Sequence, residues 1–186
     1  FYRAGRYAEA VPVAQRVLFI REKVLGPEHP DVALGLNNLG SLYRHQGRYA
    51  DAEPLLRRSL AISEKTLGPE HPDVAQVLNN LGLLYRDQGR YADAEPPLRR
   101  SLAIKEKTLG PEHPDVALGL NNLAELFRAQ GRYADAEPLY RRSLAIKEKT
   151  LGPEHPGVAV GLNNLAELFG AQGRYAEAYS LMLRVI

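Results

Sequence analysis

Adjacent asparagines recur at one fixed interval in this sequence: Asn37-Asn38, Asn79-Asn80, Asn121-Asn122 and Asn163-Asn164. A carboxamide both donates and accepts, so such a ladder can hydrogen-bond the main chain of an extended peptide whatever its sequence. Asparagine is also a mediocre helix former, and eight of them inside helical patterns need a reason. The alternative reason is that one member of each pair bonds a neighbouring helix. At about 100° per residue the second asparagine of each pair is expected to point outward more squarely than the first. Arg44, Arg86 and Arg128 follow at a constant offset, with Gly170 in the fourth equivalent place. They could grip a ligand carboxylate with two guanidinium nitrogens, or serve as helix-end charges that complement the dipole. Two columns on the same face change from copy to copy: Leu34, Gln76, Leu118 and Val160, then Ser41, Leu83, Glu125 and Glu167. The opposite face hardly changes. A surface that accepts serine, leucine and glutamate interchangeably is not packed against a fixed neighbour, so these columns, the asparagines and the arginines together form the candidate groove.

Other constellations carry less. His29, His71, His113 and His155 sit beside acidic residues, one per loop. Loops one helix diameter apart, about 10 Å, cannot share an ion whose ligand bonds are near 2 Å, so no metal site is expected and the histidines read as structural. Leu-Gly-Pro lacks the Lys-Ser/Thr of a phosphate loop and reads as a helix stop. The pairs Arg57-Arg58, Arg99-Arg100 and Arg141-Arg142 read as solvated charge partnered by Glu53 or Asp51 and their equivalents. No nucleophile with a neighbouring base, no carboxylate pair in an apolar setting and no cofactor fingerprint is present, which argues against an enzyme and against any cofactor. The 24 basic and 22 acidic residues are interspersed, which argues against nucleic acid as a partner. No apolar run reaches the roughly 18 residues of a membrane span, and no cysteine is available for a disulfide. The composition leans weakly to a cytoplasmic location.

The elements that must position these residues follow from a repeat of 42 residues, marked by Gly-Arg-Tyr-Ala at Gly5, Gly47, Gly89, Gly131 and Gly173 and by Leu-Gly-Pro-Glu-His-Pro from Leu25, Leu67, Leu109 and Leu151. Residues 89–130 and 131–172 differ at five positions only: Pro97/Leu139, Leu98/Tyr140, Asp115/Gly157, Leu118/Val160 and Arg128/Gly170. Each repeat reads as two helices. The first runs from about Asp31 to His45, with Val32, Leu36, Leu39, Leu42 and Tyr43 on one face and Gly47 after its end. The second runs from about Tyr49 to Thr66, with Ala52, Leu56, Ser59 and Leu60 inward, and stops at Gly68-Pro69. Pro54, Pro96 and Pro138 fall about one turn inside it and predict either a bend or a start near Asp51. The expected organisation is a single array over 1–186: a partial repeat 1–30, repeats 31–72, 73–114 and 115–156, and a truncated final repeat 157–186. Because it opens and closes within a repeat, the sequence reads as part of a longer polypeptide.

Leu36-x-x-Leu39-Gly40-x-x-Tyr43 followed by Ala52-x-x-x-Leu56 resembles the tetratricopeptide signature, with leucine where tryptophan is common. The period, Leu-Asn-Asn-Leu and Gly-Pro-Glu-His-Pro-Asp resemble the kinesin-light-chain subclass. The resemblance implies an all-α fold, a right-handed α-α superhelix of antiparallel helix pairs, that binds proteins in a concave groove. In kinesin light chains that groove takes cargo peptides, often acidic; here Glu125 and Glu167 stand where they would repel one.

Two functions are therefore expected to compete. The first is a scaffold that holds a protein or peptide partner in the groove. The second is a spacer or self-assembly module that stacks through apolar ends, where Tyr179 and Leu183 replace the equivalents of Glu137 and Arg141, and Val11 and Phe19 replace those of Glu53 and Ala61.

Overall fold

The structure, a computed structural model, describes residues 7–184; the Gly5 copy of the repeat segment lies outside the described residues. Those residues form helices α1 (Tyr7–Leu25), α2 (Pro30–His45), α3 (Tyr49–Leu67), α4 (Pro72–Asp87), α5 (Tyr91–Leu109), α6 (Pro114–Ala129), α7 (Tyr133–Leu151), α8 (Pro156–Ala171) and α9 (Tyr175–Met182), and no strand. It is an all-α helical repeat fold in which even-numbered helices are the first of each hairpin and odd-numbered helices the second. The chain makes two compact units, Phe1–Ile104 and Lys105–Ile186.

Each first helix is started by the loop histidine. His29 Nδ1 accepts the Asp31 amide at 3.1 Å, His71 that of Asp73 at 3.2 Å, His113 that of Asp115 at 3.1 Å and His155 that of Gly157 at 3.0 Å. Proline at the next position has no N–H to leave unsatisfied, and Asp31, Asp73 and Asp115 place negative charge at the dipole's positive end. The first helix ends where Gly47, at φ +72°, turns the chain so that the Arg48 amide reaches the Tyr43 carbonyl at 2.9 Å. The same arginine then stacks on the helix's last aromatic ring: Arg48 lies 4.1 Å from the centre of Tyr43 and Arg174 4.0 Å from that of Phe169. This pairing of the Gly-Arg-Tyr arginine with the preceding turn was not anticipated from the sequence.

The second helices start at Tyr49, Tyr91 and Tyr133, so the late start expected from the prolines is not taken. Pro54 is exposed and follows the first turn, where its missing N–H strands only the carbonyl of the equally exposed Ala50.

Within unit 1, Leu56 and Leu98 pack against helix glycines of their own hairpins. A Cβ on Gly40 would stand 2.8 Å from Leu56 Cγ, and one on Gly82 2.5 Å from Leu98 Cγ, so only glycine permits the approach. Ser59 and Ser101, both buried, donate to the Ala33 and Ala75 carbonyls at 2.7 and 2.6 Å and fix each second helix on its first. Val74, Ala75, Leu78 and Ile104, with Leu60 beside them, form a core between neighbouring hairpins. Arg58 reaches Glu22, and Arg100 reaches Glu64, both at 2.6 Å, so the second arginine of each pair links consecutive second helices, while Arg57 pairs with Glu53 on its own helix at 2.8 Å.

Unit 2 repeats the scheme. Ser143 donates to the Ala117 carbonyl at 2.7 Å, Arg142 meets Glu106 and Arg184 meets Glu148, each at 2.5 Å. Tyr140, fully buried, takes the place of Leu56, and Ala124 that of Gly40.

The ends are apolar in part. Phe19, Tyr179 and Leu183 are exposed, but Val11 is buried, which corrects its grouping with them. Its equivalent, Glu53, is itself largely covered because Arg90 and Tyr85 of the next hairpin reach its carboxylate, and valine fills such a place without needing those partners.

Candidate groove of the first helices

The asparagine pairs are built into each unit as inter-helix bonds. In unit 1, Asn80 Nδ2 of α4 donates to Asn37 Oδ1 of α2 at 2.9 Å; in unit 2, Asn164 Nδ2 of α8 donates to Asn121 Oδ1 of α6 at 2.8 Å. The first asparagine of one repeat thus accepts from the second asparagine of the next. Asn37 is 3% exposed and Asn38 is exposed, as the angular argument gives for this pair. Further along the order blurs: Asn79, Asn80, Asn121, Asn122 and Asn164 are half-buried and Asn163 is exposed. Each bonded carboxamide keeps unused capacity, since Asn80 has spent one of two N–H groups and none of its oxygen's lone pairs in this bond.

On either side of the amide bond lie the variable columns. Toward the helix starts, Leu34 is 44% exposed, Leu118 53% and Val160 53%, with Gln76 exposed as well. In unit 1 this region is a narrow cleft whose floor is the buried Ser63 between Leu34 and Asn37 of α2 and Gln76 and Val77 of α4. Toward the helix ends, Ser41 and Leu83 are half-buried. In unit 2, Glu125 accepts from the Tyr140 hydroxyl at 2.5 Å and pairs with Arg128 at 2.9 Å, while Glu167, more exposed, lies 3.4 Å from the same arginine. Burial and the adjacent carboxylate push the Tyr140 hydroxyl well above the ordinary tyrosine range, and the bond to Glu125 pushes Arg128 up.

The three arginines already hold carboxylates of this chain. Asp87 receives Arg44 at 2.5 Å and Arg86 at 2.9 Å, and Arg128 lies between Glu125 and Glu167. Beside Arg44, burial and the guanidinium hold His45 below the ordinary histidine range.

A further column was missed from the sequence: Arg21, Ser63, Lys105 and Lys147, four residues after the hairpin serine position. Arg21 Nη1 donates to the Asp31 carbonyl in the first turn of α2 at 3.0 Å, and Lys147 is only 7% exposed. Burial lowers the lysine value at Lys105, where Asp115 opposes the shift, and at Lys147. The signal that could have found it is size exchange: the next first helix carries Gly35 after Arg21, Val77 after Ser63, Gly119 after Lys105 and Gly161 after Lys147.

Paired helices joined by a Gly-Arg turn, knobs seated on small residues of the first helix and a polar ladder along the first helices define a tetratricopeptide-type repeat protein. The chain belongs to that family: the Tetratricopeptide repeat profile matches residues 1–65, 31–107, 98–149 and 115–186. Its repeats are of the kinesin-light-chain-like kind. A crystal structure of a putative kinesin light chain from Podosopora anserina with nearly identical TPR-like repeats is 33% identical, with a TM-score of 0.81 over 98% of this chain and 87% of that one. BtubC (BKLC) from P. vanneervenii is 24% identical with a TM-score of 0.85, covering 99% of this chain and 73% of that one, and shares the fold. Rap protein complexed with Competence and Sporulation Factor shares it at 17% identity and a TM-score of 0.77, over 97% of this chain and 49% of that one. No curated protein matches the sequence. Tetratricopeptide repeats generally mediate protein–protein interaction. No helix among the described residues is long and apolar enough to cross a membrane.

Proposed function

We propose that the chain is a binding scaffold, not a catalyst, that holds an extended segment of a partner protein along the first-helix face of each unit. The observation that carries this reading is the exposure of Leu34, Leu118 and Val160 on the face that also bears the carboxamide bonds. Apolar side chains that change identity between repeats while remaining exposed have no packing duty in the fold, and beside carboxamides with spare hydrogen-bonding capacity they suit a peptide. The variable columns then discriminate between side chains and the asparagines serve the peptide main chain. Standard groove affinities put such a complex near micromolar, or about −8 kcal/mol. The test is a displayed random-peptide library titrated against the chain and against a Leu34→Asp, Leu118→Asp, Val160→Asp variant of equal helicity. Saturable binders lost in the variant support the groove; binders indifferent to it, or none at all, overturn it.

A second reading, self-assembly, is favoured by the exposure of Tyr179 and Leu183 at 64% and 55%. Tyr179→Glu with Leu183→Arg restores the residues of the preceding repeat, and sedimentation of both forms decides. Association present in the native chain and absent in this variant supports assembly, and a monomer in both excludes it.

A further inference from the structure

Helix α8 differs from the other first helices by having no charge at either end. Its first turn carries no acidic residue and its last turn no basic one, whereas α6 has Asp115 and Arg128 there. Three of the five differences between residues 89–130 and 131–172 are the exchanges that make α8 distinct: Asp115/Gly157, Leu118/Val160 and Arg128/Gly170.

At each end, a charge on a neighbouring residue is left in place. Lys147 leaves α7 and runs along α8, its Cδ 3.8 Å from where a Cβ on Gly161 would stand. The equivalent Arg21 ends in the first turn of α2, on the Asp31 carbonyl, and the equivalent Lys105 feels the carboxylate of Asp115. The Lys147 stem therefore passes the second turn of α8 at Gly161, one turn from Gly157, where glycine has replaced that carboxylate. Lys147 is nine-tenths buried, and its lowered value has burial as its cause with no opposing acid. The dipole's positive end at α8 adds to the same field. At the other end, Glu125 has Arg128 three residues on, whereas Glu167 has Gly170, around which a Cβ would meet nothing within 4 Å. Glu167 has only the more distant shared contact to Arg128 at 3.4 Å, and the last turn of α8 carries no basic residue of its own.

We propose that α8 reads a partner peptide of mixed charge, seating an Asp or Glu side chain on Lys147 beside Gly157 and an Arg or Lys side chain on Glu167 beside Gly170. This rests on the groove reading and gives it polarity. Gly157 and Gly170 are thirteen positions apart, about 20 Å at the helical rise of 1.5 Å per residue. An extended peptide at about 3.3 Å per residue spans that in about six residues. Between the two ends it crosses the exposed Val160 and the Asn164 carboxamide.

The experiment pans a displayed random twelve-residue peptide library on the full chain and on two variants that restore the repeat's own residues, Gly157→Asp and Gly170→Arg. Both substitutions reproduce side chains that α6 carries, and melting curves check that the fold is kept. Native chain is expected to enrich peptides with an acid and a base about six positions apart. Gly157→Asp should abolish the acid preference alone and Gly170→Arg the base preference alone. Titration of the enriched peptides should show about tenfold to a hundredfold weaker binding to each variant, the loss that one charge-assisted hydrogen bond implies. Peptides that bind the native chain without the charge pair, or bind all three forms equally, overturn this proposal and leave the groove standing. A native chain that enriches no peptide overturns both.

Discussion

The carboxamide bond makes an unequal demand on two asparagines that look alike in the sequence. Asn80→Ala removes the Nδ2 donor that sits 2.9 Å from Asn37 Oδ1, and Asn37 is 3% exposed, so bulk water does not replace it. Stranding a buried acceptor costs about 1–3 kcal/mol. Alanine's better helix propensity returns about 0.5 kcal/mol, leaving a net loss of roughly 0.5–2.5 kcal/mol. Asn38→Ala acts on an exposed side chain, so only the propensity gain of about 0.5 kcal/mol remains. Urea unfolding followed by far-UV circular dichroism on the full chain, comparing midpoints at constant m, measures the difference. The two variants should be separated by about 1–3 kcal/mol, with Asn80→Ala the less stable. If their stabilities agree within about 0.5 kcal/mol, the distance of additivity error, the amide bond contributes nothing and the asparagines owe their constancy to something else. The same contrast decides how peptide binding should be probed: loss of binding in Asn38→Ala reports on contact, whereas loss in Asn80→Ala is mixed with loss of stability.

Three further outcomes follow from the geometry. Tyr140→Phe should cost about 1–2 kcal/mol, measured by the same unfolding, because it removes the 2.5 Å bond to Glu125 from a fully buried residue while leaving the ring in place; no loss would mean that Arg128 alone satisfies that carboxylate. Since the folded state holds His45 below its ordinary value of 6.5, the unfolded chain binds the proton more readily, and stability should rise as pH climbs from the lowered folded value to about 6.5. His45→Ala, which installs the residue found at Ala129, should flatten that part of the pH–stability curve, and an unchanged slope would assign it to other groups. Gly131→Ala should cost about 1–2 kcal/mol, because its φ of +72° lies in the left-handed region where a Cβ is strained; a neutral effect would show that the turn relaxes.

Much of this architecture was legible in the sequence because the period of 42 residues multiplies weak signals. A single Gly-Pro or a single apolar stripe is ambiguous, but four copies in register fix the helix ends to within a residue or two, as α2 and α3 show. What escaped the reading depends on contacts between chain segments. Nothing about a histidine in a loop says that its Nδ1 will meet the amide two residues on, and nothing about Gly-Arg-Tyr says that the arginine will fold back over Tyr43. The prolines misled because the penalty of an interior proline is tied to a hydrogen bond and a clash, and here the affected turn faces solvent. The groove columns were visible as variable positions, while the pairing of Asn80 with Asn37 needs the register between repeats, which no single helix encodes.

On the proposed function, that register also explains how near-identical repeats differ in what they bind. In each unit, consecutive second helices are joined by arginine–glutamate pairs such as Arg58–Glu22 and Arg142–Glu106, and each hairpin is closed by a serine on a backbone carbonyl. None of these contacts uses the asparagine-bearing face of the first helices. A substitution at the exposed Leu118 or Val160, or at Gly170, where a Cβ meets nothing within 4 Å, therefore alters the proposed groove without touching these links, because stability in such arrays is a sum over repeats and nearest-neighbour interfaces. The amide bonds work the other way: they lie on the proposed groove face and also join neighbouring first helices, so a change there alters both properties at once. Constancy at the asparagines and variation around them is the pattern this coupling produces, and it makes α8, where the ends have changed and Asn164 has not, the place to look first for specificity.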